Sequence, residues 1–122
     1  MKILMVCAEF PPVNTTGNYR SAGFARHFSK AGHEVQVITT TVDSGEETFN
    51  KSADNQLLVG LESVVIHRFP IKPISRWFSK GIGNALRIWW NATDNIGKRW
   101  YKGENKTRIN EITRNFQPDI LY

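Results

Sequence analysis

The chain has 122 residues, 16 of them basic and 11 acidic, with 40% apolar and 11% aromatic side chains. That length suits one domain able to bury ~65% of its unfolded surface, and the composition excludes disorder along most of its length. The longest apolar run near the start, Ile3 to Ala8, is far short of the ~20 residues of a membrane-spanning helix and too short for the core of a secretory signal. A single cysteine, Cys7, excludes an internal disulfide and a multi-cysteine zinc site. These features together point to the cytoplasm.

The chain opens with Lys2 to Ala8, a mostly apolar run of strand length without alternation, as in a parallel strand buried on both faces. Phe10-Pro11-Pro12 ends it, because proline cannot donate to a ladder. A loop rich in turn residues, Asn14 to Asn18, leads into a helix expected from about Asn18 to Ala31, with Ala22, Ala25, Phe28 and Ala31 on one face and Phe24 beside them. Gly32 stands where a left-handed helix cap is wanted, and Glu34 to Thr40 reads as a second strand rich in β-branched residues. Strand, helix and strand form a right-handed βαβ unit.

Thr41 to Gln56 is polar and reads as an exposed loop. Leu57 to Val59 and Val64 to Phe69 read as two short strands, paired as a hairpin around Gly60-Leu61-Glu62. Ile74, Phe78, Ile82, Leu86 and Trp89 recur at helical spacing, weakened by Gly81 and Gly83. A further helix is expected from Glu104 to Phe116, with Ile109, Ile112 and Phe116 on one face, and Pro118 stops it before a last strand, Asp119 to Tyr122. The expected class is α/β, a Rossmann-like three-layer domain with a mainly parallel sheet. Because the sequence closes in mid-strand, residues 1–122 read as a single, incomplete domain of a longer protein.

Charge is unevenly placed. Between Lys72 and Lys102 seven basic residues face only Asp94, a net +6, so the rest of the chain carries −1 of the total +5. All four tryptophans, Trp77, Trp89, Trp90 and Trp100, lie in the same window. One reading is a helix packed on the sheet with solvated basic residues. The other is an interface: tryptophan favours the headgroup level, and each Lys or Arg near an anionic leaflet contributes ~1 kcal/mol. On that reading Trp77, Lys80, Arg87, Trp89, Trp90, Arg99 and Trp100 meet an acceptor or an anionic membrane surface.

Several segments, taken in order, resemble a known family: MKILMVCAEFPP, TGNYR, ARHFSKAGHEVQVITT, HRFP and QPDILY. They are similar to the amino-terminal domain of family-4 glycosyltransferases, enzymes of the two-domain GT-B fold. The resemblance covers both ends of the chain and is weak from about Thr41 to Asn115. It implies transfer of a sugar, with retained configuration and no bound metal or tightly held cofactor, from a UDP- or GDP-linked donor to a glycan or lipid-linked acceptor. This chain would be the acceptor-side half, inactive alone, at the inner face of the cytoplasmic membrane of a bacterium. The partner it implies is a carboxy-terminal donor-binding domain, whose paired glutamates are absent here. A glycine-rich loop after the first strand approaches the donor phosphates in the family. Here Thr16 replaces the first of two usual glycines, leaving Gly17. Many members carry a histidine in the loop after the position of Tyr122, so no catalytic residue is named.

The same loop has a physical case of its own. It lies at the carboxyl end of the first strand and enters a helix N-terminus, where free amides and the helix dipole favour a phosphate. Thr16, Gly17, Asn18 and Arg20 are the candidate residues. The plainer reading is a capped turn, with Thr16 or Asn18 as N-cap, and Arg20 either meets an anion or is a solvated side chain or part of a structural ion pair. Among the histidines, His33 suits a local hydrogen bond in the helix-to-strand turn, His27 an exposed flank, and His67 either the cleft or the fold. Their spacing does not make a metal site. Cys7 is expected buried and inert, and the sequons at Asn14, Asn50, Asn91 and Asn105 are chance occurrences without a secretory signal. The rival function is a non-catalytic module binding an anionic surface, membrane or nucleic acid, through residues 72–102.

Overall fold

The computed structural model describes residues 1–41, 54–70 and 100–122. Four strands form one sheet in the order β3-β2-β1-β4: β1 is Lys2–Val6, β2 Glu34–Thr40, β3 Val65–Phe69 and β4 Ile120–Leu121. Every pairing is parallel. Among the described residues two helices, α1 (Thr16–Lys30) and α2 (Gly103–Phe116), pack on opposite faces. This is an α/β, Rossmann-like fold with the strand order of one half of a doubly wound sheet.

Period-two alternation sorts the strand residues between the two layers. Ile3 and Met5 of β1 and Val35 and Val37 of β2 face α1, joining Ala22, Ala25, Phe10 and Leu61. Leu4 and Ile38 point the other way, to Phe69, Ile109 and Phe116 under α2. The unbroken apolar run of β1 is thus the signature of a strand covered on both sides. Its register aligns Ile3 with Val35 and Met5 with Val37.

Helix α1 begins at Thr16, two residues earlier than expected, with Thr15 as N-cap. It buries Asn18, Ala22 and Ala25, while Ala31 is an exposed C-cap residue rather than part of the apolar face. Gly32 follows at φ +83, the left-handed turn read from the sequence. Helix α2 ends on Gln117, itself left-handed at φ 50, before Pro118. The Asp119 carboxylate then accepts a hydrogen bond from the Lys2 amide (2.7 Å), tying the start of β4 to the start of β1.

Two readings are corrected. Leu57 to Val59 is not a strand: Asn55–Leu58 is a 3₁₀ turn. The Asp54 carboxylate accepts from the Gln56 amide (2.9 Å), offering the backbone a turn in place of a ladder. There is accordingly no hairpin, and β3 pairs in parallel with β2. The turn is held to α1 by Arg26, whose Nε donates to the Val59 carbonyl (2.8 Å) and Nη2 to that of Leu57 (2.5 Å). Most of the polar stretch after Thr41 and the helical stripe from Ile74 to Trp89 lie outside the described residues. Among the described residues no helix is long and apolar enough to cross a membrane.

Candidate functional site

In the order β3-β2-β1-β4 the chain reverses direction across the sheet between β1 and β4. Ligands of open parallel sheets bind outside the carboxyl ends of the strands at such a reversal. Residues 7–15, which join β1 to α1, cross that edge.

This loop is fastened from within. Phe10, Pro11 and Val13 are buried, and the Pro11–Pro12 bond is cis. Four of its carbonyls accept hydrogen bonds from other parts of the fold: Ala8 from Thr40 Oγ1 (2.8 Å), Pro11 from Arg68 Nη2, Pro12 from the Asp54 amide (2.7 Å) and Val13 from Asn18 Nδ2. These four acceptors, which would repel an anion, are therefore engaged by the fold.

At the mouth of α1, Thr15 has extended backbone (φ −134, ψ 155), and its hydroxyl does not cap the helix. It donates instead to Glu9 Oε2 at 2.7 Å. The first turn of α1 holds no acidic residue, so Glu9 is the carboxylate that this hydroxyl ties to the positive end of the helix dipole. Sequence reasoning missed Glu9, because the contact depends on the path of a proline turn that no periodicity reveals. Thr16, Gly17 and Arg20 are exposed, and Thr16 and Gly17 precede Arg20 by four and three residues, so each neighbours it on the helix surface. Asn18 differs from the other three: it is fully buried and its side chain holds the loop. A Cβ built on Gly17 meets nothing within 4 Å, and its backbone is not left-handed. The fold thus neither crowds this position nor draws on the special dihedrals of glycine.

His67 faces the α2 layer, away from the β1–α1 loop. Its Nε2 lies 2.9 Å from Gln36 Oε1, beside a cavity of about 300 Å³ that also touches Lys2 and Glu34 at the amino ends of their strands. Burial, and then the charge of Arg108, lower its pKa. Burial likewise lowers that of Arg68. Cys7 is half-buried, and burial raises its thiol pKa against the opposing effect of a hydrogen bond with Ser21. His33 sits in the turn after α1, where its amide donates to the Phe28 carbonyl (3.1 Å).

Of the basic and tryptophan set, Trp77, Lys80, Arg87, Trp89, Trp90 and Arg99 lie outside the described residues. Trp100 is half-buried and packs edge-on against Phe69, ring centroids 6.4 Å apart. The Asn105 side chain donates to the Pro70 and Trp100 carbonyls, both at 2.9 Å, so this sequon amide is engaged in joining β3 to α2. Among the described residues no three His, Cys, Asp or Glu side chains gather as a metal set would. No family model, curated protein or solved structure matches the chain.

Proposed function

We propose that this chain is the acceptor-side, amino-terminal domain of a retaining, family-4-like glycosyltransferase. In this reading the first turn of α1 meets the phosphates of a UDP- or GDP-linked sugar, and a donor-binding domain supplies the rest of the site. The observation that carries the reading is the mouth of α1: an exposed Gly17 with open space above it, behind a loop four of whose carbonyls are tied inward. A helix N-terminus in that state offers amide donors and a positive dipole to a phosphate, and a glycine lets the ligand approach the backbone closely. The ordered resemblance in FPP, GHEV and PD supplies the reaction class.

Leaving-group charge on the nucleotide diphosphate would be met by these amides and by Arg20, fixed dipoles and a cation that need little reorganisation. The acceptor, a glycan or a lipid-linked sugar, belongs in this reading to the carboxyl edge of the same sheet. The test is a titration of the isotope-labelled chain with UDP, followed through its backbone amides. Shifts concentrated at Thr15 to Asn18, weakened by added inorganic phosphate, are the expected result. Shifts scattered over the surface, or none at millimolar UDP, would refute the phosphate site.

A further inference from the structure

We propose that Arg68 is a positioning residue: from β3 its guanidinium grips the Pro11 carbonyl and so sets where the mouth of α1 presents its amides. The inference rests on the reading of that mouth as a donor-phosphate site.

The contact joins distant parts of the fold. Arg68 stands opposite Thr39 near the carboxyl end of β3, and β3 is separated from β1 by the whole of β2. Its Nη2 donates to the carbonyl of Pro11, 57 residues away in sequence. Its Nη1 is buried and has no hydrogen-bond partner among the described residues. A guanidinium is a costly group to shelter for one neutral acceptor, because its charge loses water on burial. An apolar side chain would fill the space more cheaply, but it would not hold the carbonyl.

What Arg68 holds is connected to the mouth of the helix. Pro11 lies four residues before the N-cap Thr15. Between them, the Pro12 carbonyl accepts from the Asp54 amide and the Val13 carbonyl from Asn18. Asn18 is itself in the first turn of α1 and fully buried. A shift of Pro11 therefore passes through Val13 and Asn18 into the turn that carries Thr16 and Gly17. Such coupling through successive packed hydrogen bonds has a physical basis when each link is fixed in place.

The experiment compares Arg68→Met, Arg68→Lys and the unaltered chain by amide hydrogen exchange and by UDP titration. Arg68→Met should speed exchange at Asn18 and Asp54, whose amides donate to the Thr15 and Pro12 carbonyls, about tenfold while leaving Val37 and Ile109 unchanged, a local opening rather than a global one. It should weaken UDP about tenfold, and Arg68→Lys, which keeps a donor, should restore part of both. Equal acceleration at all sites means a merely structural role and overturns the proposal, as does unchanged exchange at the loop. UDP moving the Arg68 side-chain resonances as far as the Gly17 amide would make Arg68 a direct ligand, which also overturns it. Should the unaltered chain ignore UDP while Arg68→Met still loosens the loop, positioning stands and the donor-site reading fails. If Arg68→Met does not fold, a through-bond coupling between Arg68 Nη and the Pro11 carbonyl in the unaltered chain decides: its presence supports the grip, and its absence overturns it.

Discussion

Replacing Gly17 separates what the fold needs from what a ligand needs. The residue is second in α1, its backbone is not left-handed, and an added Cβ meets nothing within 4 Å. No clash or dihedral strain opposes a side chain there. Helix propensity then decides the sign: alanine is better than glycine by up to ~1 kcal/mol inside a helix, and valine recovers only part of that. Gly17→Ala should therefore raise the melting temperature by up to roughly 4 °C for a domain of this size, and Gly17→Val should change stability by less than about 0.5 kcal/mol. Binding should move the other way. The branched side chain of valine occupies the space through which a phosphate would reach the amide, so UDP should bind at least tenfold more weakly, about 1.4 kcal/mol. Circular dichroism melting and amide-detected UDP titration on the same samples measure both. Unchanged UDP affinity in Gly17→Val would refute the close approach of phosphate, and a variant that unfolds would refute the claim that the fold leaves this position free.

Three further outcomes are expected. Phe10 is completely buried between the loop and the α1 layer, so Phe10→Ala should cost about 3–5 kcal/mol in denaturant unfolding; a loss below 1 kcal/mol would mean the loop is not part of the core. Arg26→Ala removes both donors to the Val59 and Leu57 carbonyls and should cost about 1–2 kcal/mol, with faster amide exchange around the 3₁₀ turn and none in β2; exchange that does not respond would contradict the clamp. The folded state lowers the pKa of His67 below its ordinary value of 6.5, so the unfolded chain binds that proton more tightly. Its contribution to stability is intact above pH 6.5 and is lost as pH falls through the folded value. The fall in melting temperature from about pH 7 to 5 should consequently be smaller in His67→Gln, and equal falls would remove the argument.

The parts of the fold governed by local rules were legible in the sequence. Strand β2 begins and ends where its β-branched run does, and the Gly32 turn adopts the positive φ that a glycine there implies. Strand β1 ends two residues early: the Cys7 amide still donates to the Ile38 carbonyl of β2, but the chain bends from Ala8, whose carbonyl accepts from the Thr40 side-chain hydroxyl instead of a β2 backbone amide. Leu57 to Val59 looked like a strand because apolar residues in a run of three carry no period. The Asp54 side chain that turns them falls within the polar stretch that reads as a loop. What sequence could not reveal are contacts set by the path of the folded chain: Arg26 from α1 to residues 57 and 59, Arg68 from β3 to Pro11, and Glu9 to Thr15 across the proline turn. Each depends on a tertiary path that spacing along the chain does not encode. The candidate site was legible as a place, the mouth of α1. It was not legible as a division of labour, with Asn18 turned inward and Thr16, Gly17 and Arg20 left outside.

That division bears on what the loop can bind. An anion site requires donors that are available and acceptors that are kept away, and a nine-residue connection normally presents both. Here the Pro11-Pro12 pair brings no amide donors, yet its two carbonyls are consumed, one by a guanidinium and one by a backbone amide. Thr40 and Asn18 consume those of Ala8 and Val13. The carbonyls of Ala8, Pro11, Pro12 and Val13 are thus taken up by internal hydrogen bonds, and at the positive end of α1 the Thr15 hydroxyl donates to the Glu9 carboxylate. Electrostatics at a helix N-terminus favours an anionic group, such as a nucleotide diphosphate. A neutral sugar alone would gain little from the same geometry, which is why the phosphates, rather than the glycosyl group, are assigned to the mouth of the helix.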